Sequence, residues 1–160
     1  MSISAEIIMT NRFQRISTAH TLREAMGLIL YGEERSTNTG AIVVIDSEGD
    51  FAGILTPTYV VRGLCRFAQD VENIDRETFL ECIQNRLSEK VDTVMDKELP
   101  VLSKTTTFPK AVHFISSGKY ECLPVIEDRR VVGLVYATDV FKMAANIALT
   151  PEEGGIILDK

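Results

Sequence analysis

Cysteine is scarce here and is not spaced for use. The chain has three, Cys65, Cys82 and Cys122, an odd number without a CxxC pair. That excludes a disulfide framework and a cysteine-based zinc site, and each thiol sits among apolar neighbours as a buried reduced cysteine would. Reduced thiols fit a cytoplasmic chain. There are two histidines, far apart. His20 lies in STAHTLRE just ahead of a helix and His113 lies in the helical pattern KAVHFI, so neither reads as a metal ligand. No P-loop, GxGxxG, HExxH or nucleophile elbow is present. The expectation is therefore no catalytic residues, no metal and no enzyme. Basic runs are absent too. Seventeen Lys and Arg against 23 Asp and Glu leave a net charge of −6, which disfavours a nucleic-acid partner. The longest apolar runs, AIVVI (41–45) and VVGLVY (131–136), fall far short of the roughly 18 residues of a membrane span. MSISAEIIMTNRF lacks the basic and long apolar regions of a signal peptide.

What the sequence does have is a pattern used twice. GILTPTYV (53–60) and GLVYATDV (133–140) share a Gly, paired aliphatics and a final Val. The key position holds Tyr59 in one and Asp139 in the other. Three residues earlier stand Thr56 and Tyr136. Upstream, EIIMTNRFQRISTAHTLREAMGLI (6–29) lies over DTVMDKELPVLSKTTTFPKAVHFI (92–115), bringing Met9 onto Met95, Ser17 onto Ser103, Thr21 onto Thr107, Ala25 onto Ala111 and Ile29 onto Ile115. The longer turn GEERSTNTG shifts the alignment before AIVVIDSEGDFAGILTPTYV meets CLPVIEDRRVVGLVYATDV. Two copies result, about 6–60 and 92–140.

Each copy predicts strand–helix–strand–strand–helix. The first strand ends near Ser17 or Ser103. Thr21 and Glu24 make a capping box for the first helix, and Pro109 suits the first turn of its counterpart. DSEGD and EDRR are turn material between β-branched runs. Pro57 suits a first helical position, with Thr56 as its cap. One copy, about 55 residues, is marginal alone, so the two are expected to share a core with pseudo-two-fold symmetry. Between them, 60–71 has a helical period, and DRETFLECIQNRL (75–87) reads as an amphipathic helix with face Phe79, Leu80, Ile83 and Leu87. This connector either packs on the module or offers a partner surface. The expected organisation is a first repeat over 1–64, a helical connector over 65–91, a second repeat over 92–148 and a tail over 149–160.

With these motifs in view, the chain resembles a tandem pair of CBS domains, a Bateman module. The second copy carries the likeness most fully in VMDKELPVLSKTTTFPKAV and CLPVIEDRRVVGLVYATDV. The first departs from it at Val43, where Pro124 stands in the second, and at Tyr59. The resemblance implies a mixed α/β (α+β) fold and a regulatory sensor whose clefts bind adenosine-containing ligands such as AMP, ADP, ATP or S-adenosylmethionine, with no cofactor required. It implies one cleft built from Asp139, Thr138 and Tyr136 with Ser17, Thr18, Ala19, Thr39, Gly40, Ala41 and Ile42, the carboxylate taking the ribose hydroxyls. The opposite, weaker cleft would combine Thr56, Thr58 and Tyr59 with Ser103, Lys104, Thr105, Tyr120, Glu121, Cys122 and Leu123.

The chemistry of these side chains is compatible with that division. A carboxylate accepts strong charge-assisted bonds from a cis-diol, and a helix beginning beside Asp139 would turn amides toward a phosphate. Tyr59 offers one hydroxyl on a bulky ring and would fill the ribose position. Asp139 is also suited to capping the helix. The resemblance further implies a homodimer and a separate regulated protein. The competing expectation is a ligand-free interaction scaffold that keeps the fold alone.

Overall fold

The computed structural model describes residues 2–32, 40–64, 71–118 and 120–149. The first repeat forms β1 (Gln14–Ser17), α2 (Leu22–Tyr31), β2 (Ile42–Ile45), β3 (Phe51–Leu55) and α3 (Pro57–Leu64), after a single-turn helix α1 (Ala5–Ile8). The connector supplies α4 (Arg76–Arg86) between two 3-10 turns, and the second repeat supplies α5 (Phe108–Ser117), β4 (Cys122–Glu127), β5 (Arg130–Tyr136) and α6 (Ala137–Ala148). The predicted helix over 60–71 is, as far as Leu64, the end of α3; residues 65–70, Cys65 among them, lie outside the described residues, as do the turn 33–39 with Thr39 and the tail from 150.

The near-continuous apolar strands are explained by two sheets stacked face to face. In β2, Ile42 and Val44 face the layer of α2 and α3, whereas Val43 and Ile45 face the other sheet. This is the two-residue alternation of a strand with both faces covered. The inner layer joins Val43 and Ile54 of the first repeat to Cys122, Val131, Leu134 and Tyr136 of the second. The outer faces of the second sheet bury Leu123, Val125 and Val135 under α1, α5 and α6. The order is helices, sheet, sheet, helices, and the expected shared core is the layer between the sheets.

Each repeat also lends its leading segment to the other. Asp96 exchanges backbone hydrogen bonds with Ile54 of β3 at 3.0 and 2.8 Å, and Thr10 does the same with Leu134 of β5 at 2.7 and 2.9 Å. The glycines of the repeated motif make this possible. A Cβ on Gly53 would collide with Met95 and the Asp96 carbonyl, and one on Gly133 with Met9. The aligned methionines thus fill the space left by the partner repeat's glycine.

The helix starts follow the sequence closely. Thr21 and Glu24 form the predicted capping box. Thr56 accepts from the Tyr59 amide, capping α3, which begins at Pro57. Pro109 lies in the first turn of α5. The structure differs at three elements. The strand expected to end at Ser103 is reduced to a parallel bridge between Leu102 and Val125. Asp139 does not precede α6 but is its third residue. Helix α4 buries none of its residues: Phe79 and Leu80 are exposed, while Ile83 and the following Leu87 reach the first repeat's core.

Candidate functional site

Two clefts lie where the repeats meet. The first, about 390 Å³, is lined by Thr56, Thr58, Tyr59 and Arg62 from the start of α3 and by Asp96, Leu99, Tyr120, Glu121 and Cys122 from the second repeat. Position is set from both sides. Pro57 starts α3, Thr56 caps it, and Arg62 follows Tyr59 by one turn on the same helix face. The ladder with Ile54 holds Asp96 opposite them. Tyr59 hydrogen-bonds the Asp96 carboxylate; burial first, and then that carboxylate, hold its phenol above the ordinary range, against the pull of Arg62. The Arg62 guanidinium lies 5.1 Å from the centre of the Tyr59 ring. Across the cleft, Thr58 Oγ1 donates to Glu121 Oε1 at 3.2 Å.

The second cleft, about 320 Å³, is lined by Ala41, Glu121, Tyr136, Ala137 and Thr138. The Ala137 amide donates to the Glu121 carbonyl at 3.0 Å. Asp139 turns back on its own helix: Oδ2 accepts from the Tyr136 amide at 2.9 Å, and its side chain is not among those lining the cleft. In the first cleft lies Cys122, whose thiol is pushed up to about 12 by burial, then by Glu121, Asp96 and Asp139.

The site residues expected from sequence divide in two. Thr56, Thr58, Tyr59, Tyr120, Glu121 and Cys122 come together in the first cleft, and Tyr136, Thr138 and Ala41 in the second. The serine–threonine loops do not join them. Parallel pairing sets Gln14 against Ile42 and Ser17 against Ile45, so Ser17, Thr18 and Ala19 stand at the far end of β2 from Ala41, about 13 Å away at the rise of a strand. Thr18 donates to the Ile45 carbonyl there. In the second repeat Ser103, Lys104 and Thr105 follow the Leu102–Val125 bridge, and the Lys104 ammonium pairs with Glu127 at 2.9 Å, at the end of β4 remote from Cys122. Ile42 and Leu123 are fully buried against the outer helices and face away from both clefts. Gly40 takes φ 76 and lies against Pro57. Tyr59 leaves the first cleft open rather than filling it.

Sequence reasoning passed over Asp96, Arg62 and Leu99. Arg62 was within reach, one helical turn beyond Tyr59. Asp96 follows the aligned Met95, but its place in the cleft depends on pairing with the other repeat, which no local pattern announces.

The repeated geometry has a counterpart in the comparisons. The sequence matches the CBS domain family over residues 3–66 and 91–146. The chain belongs to the CBS domain family. It is a tandem CBS pair, and the two clefts are the ones its two CBS domains make together. Solved structures agree at the level of fold. AcuB of Vibrio cholerae superposes with a TM-score of 0.67 at 18% identity, covering 98% of this chain and 100% of its own. CBSX2, solved in complex with AMP, gives 0.66 at 17% identity over 91% of this chain and 98% of its own. The cytosolic domain of the Mg2+ channel MgtE, solved with ATP, gives 0.66 at 18% identity over 88% of this chain and 48% of its own. No curated protein matches the sequence. Among the described residues no helix is long and apolar enough to cross a membrane, and no group of three His, Cys, Asp or Glu could hold a metal.

Proposed function

We propose that this CBS pair is a regulatory sensor that binds an adenosine-containing ligand between its repeats and signals by a change of shape or assembly. The observation that carries this reading is the first cleft, where a phenol, a guanidinium and two carboxylates converge on an open space of about 390 Å³. That volume lies in the range of small-ligand sites, and the mix of apolar walls with a few convergent polar groups is what such sites need. A cleft built from both repeats also gives the ligand leverage, because closing on it changes how the two sheets meet. The relatives solved with AMP and ATP support the ligand class. Binding in the second cleft, with Asp139 reaching the ribose through its other oxygen, belongs to the same proposal. A carboxylate that accepts one backbone bond retains acceptor capacity.

The test is thermal denaturation and calorimetry with adenosine, AMP, ADP, ATP and S-adenosylmethionine. A ligand at 100 times its dissociation constant stabilises by about 2.7 kcal/mol, which moves the melting point by several degrees. No shift with any of them removes the sensor reading. It would leave the scaffold reading, which one observation favours: Val61 and Phe141, 56% and 70% exposed, occupy matching positions on α3 and α6. In either reading these two residues belong to a homodimer surface, and Val61→Glu with Phe141→Glu should turn a dimer in sedimentation into a monomer.

A further inference from the structure

The charges around the clefts say what kind of nucleoside they suit. We propose, resting on the sensor reading above, that Glu121 makes both clefts select against phosphorylated nucleosides, so that the ligand carries an uncharged or cationic substituent on its ribose. Glu121 is the one residue that lines both clefts among the described residues. It cannot swing clear of either without cost. Its side chain holds Thr58 in the first turn of α3, and its carbonyl holds Ala137 in the first turn of α6.

Among the described residues the remaining lining groups do not reverse the sign. Among the described residues lining the first cleft, Asp96 adds a second carboxylate against the one guanidinium of Arg62, and Arg62 is already set over the Tyr59 ring. In the second cleft no basic side chain is present among the described lining residues. Helix starts are the other usual cradle for phosphate, and here one first-turn amide of each helix is taken internally. Tyr59 N–H in α3 donates to Thr56, and Ala137 N–H in α6 donates to the Glu121 carbonyl. The Cys122 thiol is raised first by burial, and Glu121, Asp96 and Asp139 add in the same direction. A phosphate entering the first cleft meets two acidic residues against one described guanidinium, and one entering the second meets Glu121 with no described basic residue. A ribose hydroxyl can donate to Asp96 in place of Tyr59, and an ammonium or sulfonium group can pair with Glu121.

The experiment is isothermal calorimetry on the full chain and on Glu121→Gln, with adenosine, AMP, ATP and S-adenosylmethionine, at low and at physiological salt. Gln keeps an acceptor for Thr58, and an unchanged melting point for the variant without ligand checks that. The expected result is that the unmodified chain binds adenosine or S-adenosylmethionine at least about tenfold more tightly than AMP, a ratio of roughly one like-charge contact at partial screening. The ratio should shrink several-fold in Glu121→Gln, and AMP binding to the unmodified chain should strengthen as salt rises. AMP or ATP binding more tightly than adenosine would overturn the selection while leaving the sensor reading intact. A ratio unmoved by Glu121→Gln would overturn the role of that residue. Failure of all four to bind either protein would remove the sensor reading and this inference together.

Discussion

Asp128 and Arg129 turn the second hairpin with φ 51 and 66. Left-handed residues at both central positions are what a two-residue hairpin wants, because their twist matches that of the strands. Glycine or asparagine is the usual occupant, and Arg129 bears the steric cost of a Cβ there. Its ion pair with Asp50 is long, at 3.8 Å, and the arginine is largely exposed, so little is lost with it. Arg129→Gly should therefore stabilise the fold by about 0.5–1 kcal/mol, the strain relieved less the entropy that glycine adds to the unfolded chain. Urea denaturation measures it, and a destabilised variant would contradict the strain. EDRR reads as a turn in the sequence, but not as this turn, since Arg129 does not announce positive φ. Cys122 gives a second prediction. Its thiol is raised to about 12 in the folded chain against roughly 8.5 when unfolded. Between those values the unfolded state has lost a proton that the folded state keeps. The stabilisation is complete below the unfolded value and is lost as pH rises toward 12. The slope should approach about 1.4 kcal/mol per pH unit. Cys122→Ala has no such proton, so its stability should fall less steeply between pH 9 and 11. The Tyr59 phenol is also raised, but it titrates in both proteins and leaves the difference to Cys122. Parallel slopes would mean that the thiol is solvated.

Among the elements, the two equivalent helices α2 and α5 make an internal control. Thr21 closes a capping box on α2, whereas Thr107 at the same place on α5 makes no side-chain cap bond. Thr21→Ala should cost about 1 kcal/mol, and Thr107→Ala a small fraction of that. Equal losses in thermal melts would show that the box adds nothing beyond the residue type. Such local features were legible in the sequence because the groups involved lie three or four residues apart. The capping box, the Pro57 start of α3 and the hairpins are all of that kind. The cleft's lining was legible only in part, and the differences share a cause. Aligning the repeats says that Ser17 corresponds to Ser103, but not which end of the sheet either occupies. That is decided by the pairing of β1 with β2, which sets Ser17 beside Ile45. The direction of Ile42 and Leu123 is hidden for a related reason. A strand buried on both faces shows no polar alternation, so nothing in AIVVI or CLPVI marks which residues face the cleft. Asp96 is hidden more deeply, because its position is fixed by the other repeat.

At the scale of the molecule, the reciprocal exchange of leading segments makes each repeat incomplete without the other. Residues 1–90 lack Val91, Val94 and Met95, which belong to the core of their own repeat's helical face, and they lack the Asp96 partner of Ile54. Residues 91–160 lack Ala5 and Ile8, part of the second repeat's outer core. They also lack Ile3, whose carbonyl accepts from Phe108 at the start of α5, and Thr10, the ladder partner of Leu134. Either half would expose its share of the inner layer, in which Val43 and Ile54 on one side and Leu134 and Cys122 on the other are almost wholly buried. Uncovering such side chains costs about 1.5–3 kcal/mol each, and a chain's whole stability is of order 5–15 kcal/mol. A few of them suffice to unfold a half. Expressed separately, 1–90 and 91–160 should each show dispersed chemical shifts and a cooperative melt only weakly or not at all, while an equimolar mixture recovers both. Within the mixture, Gly133→Ala in the second half should block recovery, because the new methyl meets Met9 of the first. Met9→Ala should then restore it by opening the space. A half that melts cooperatively by itself, at the temperature of the full chain, would show that the repeats are independent domains. The clefts between them could then change without disturbing either core, and the route from ligand to shape would have to be sought elsewhere.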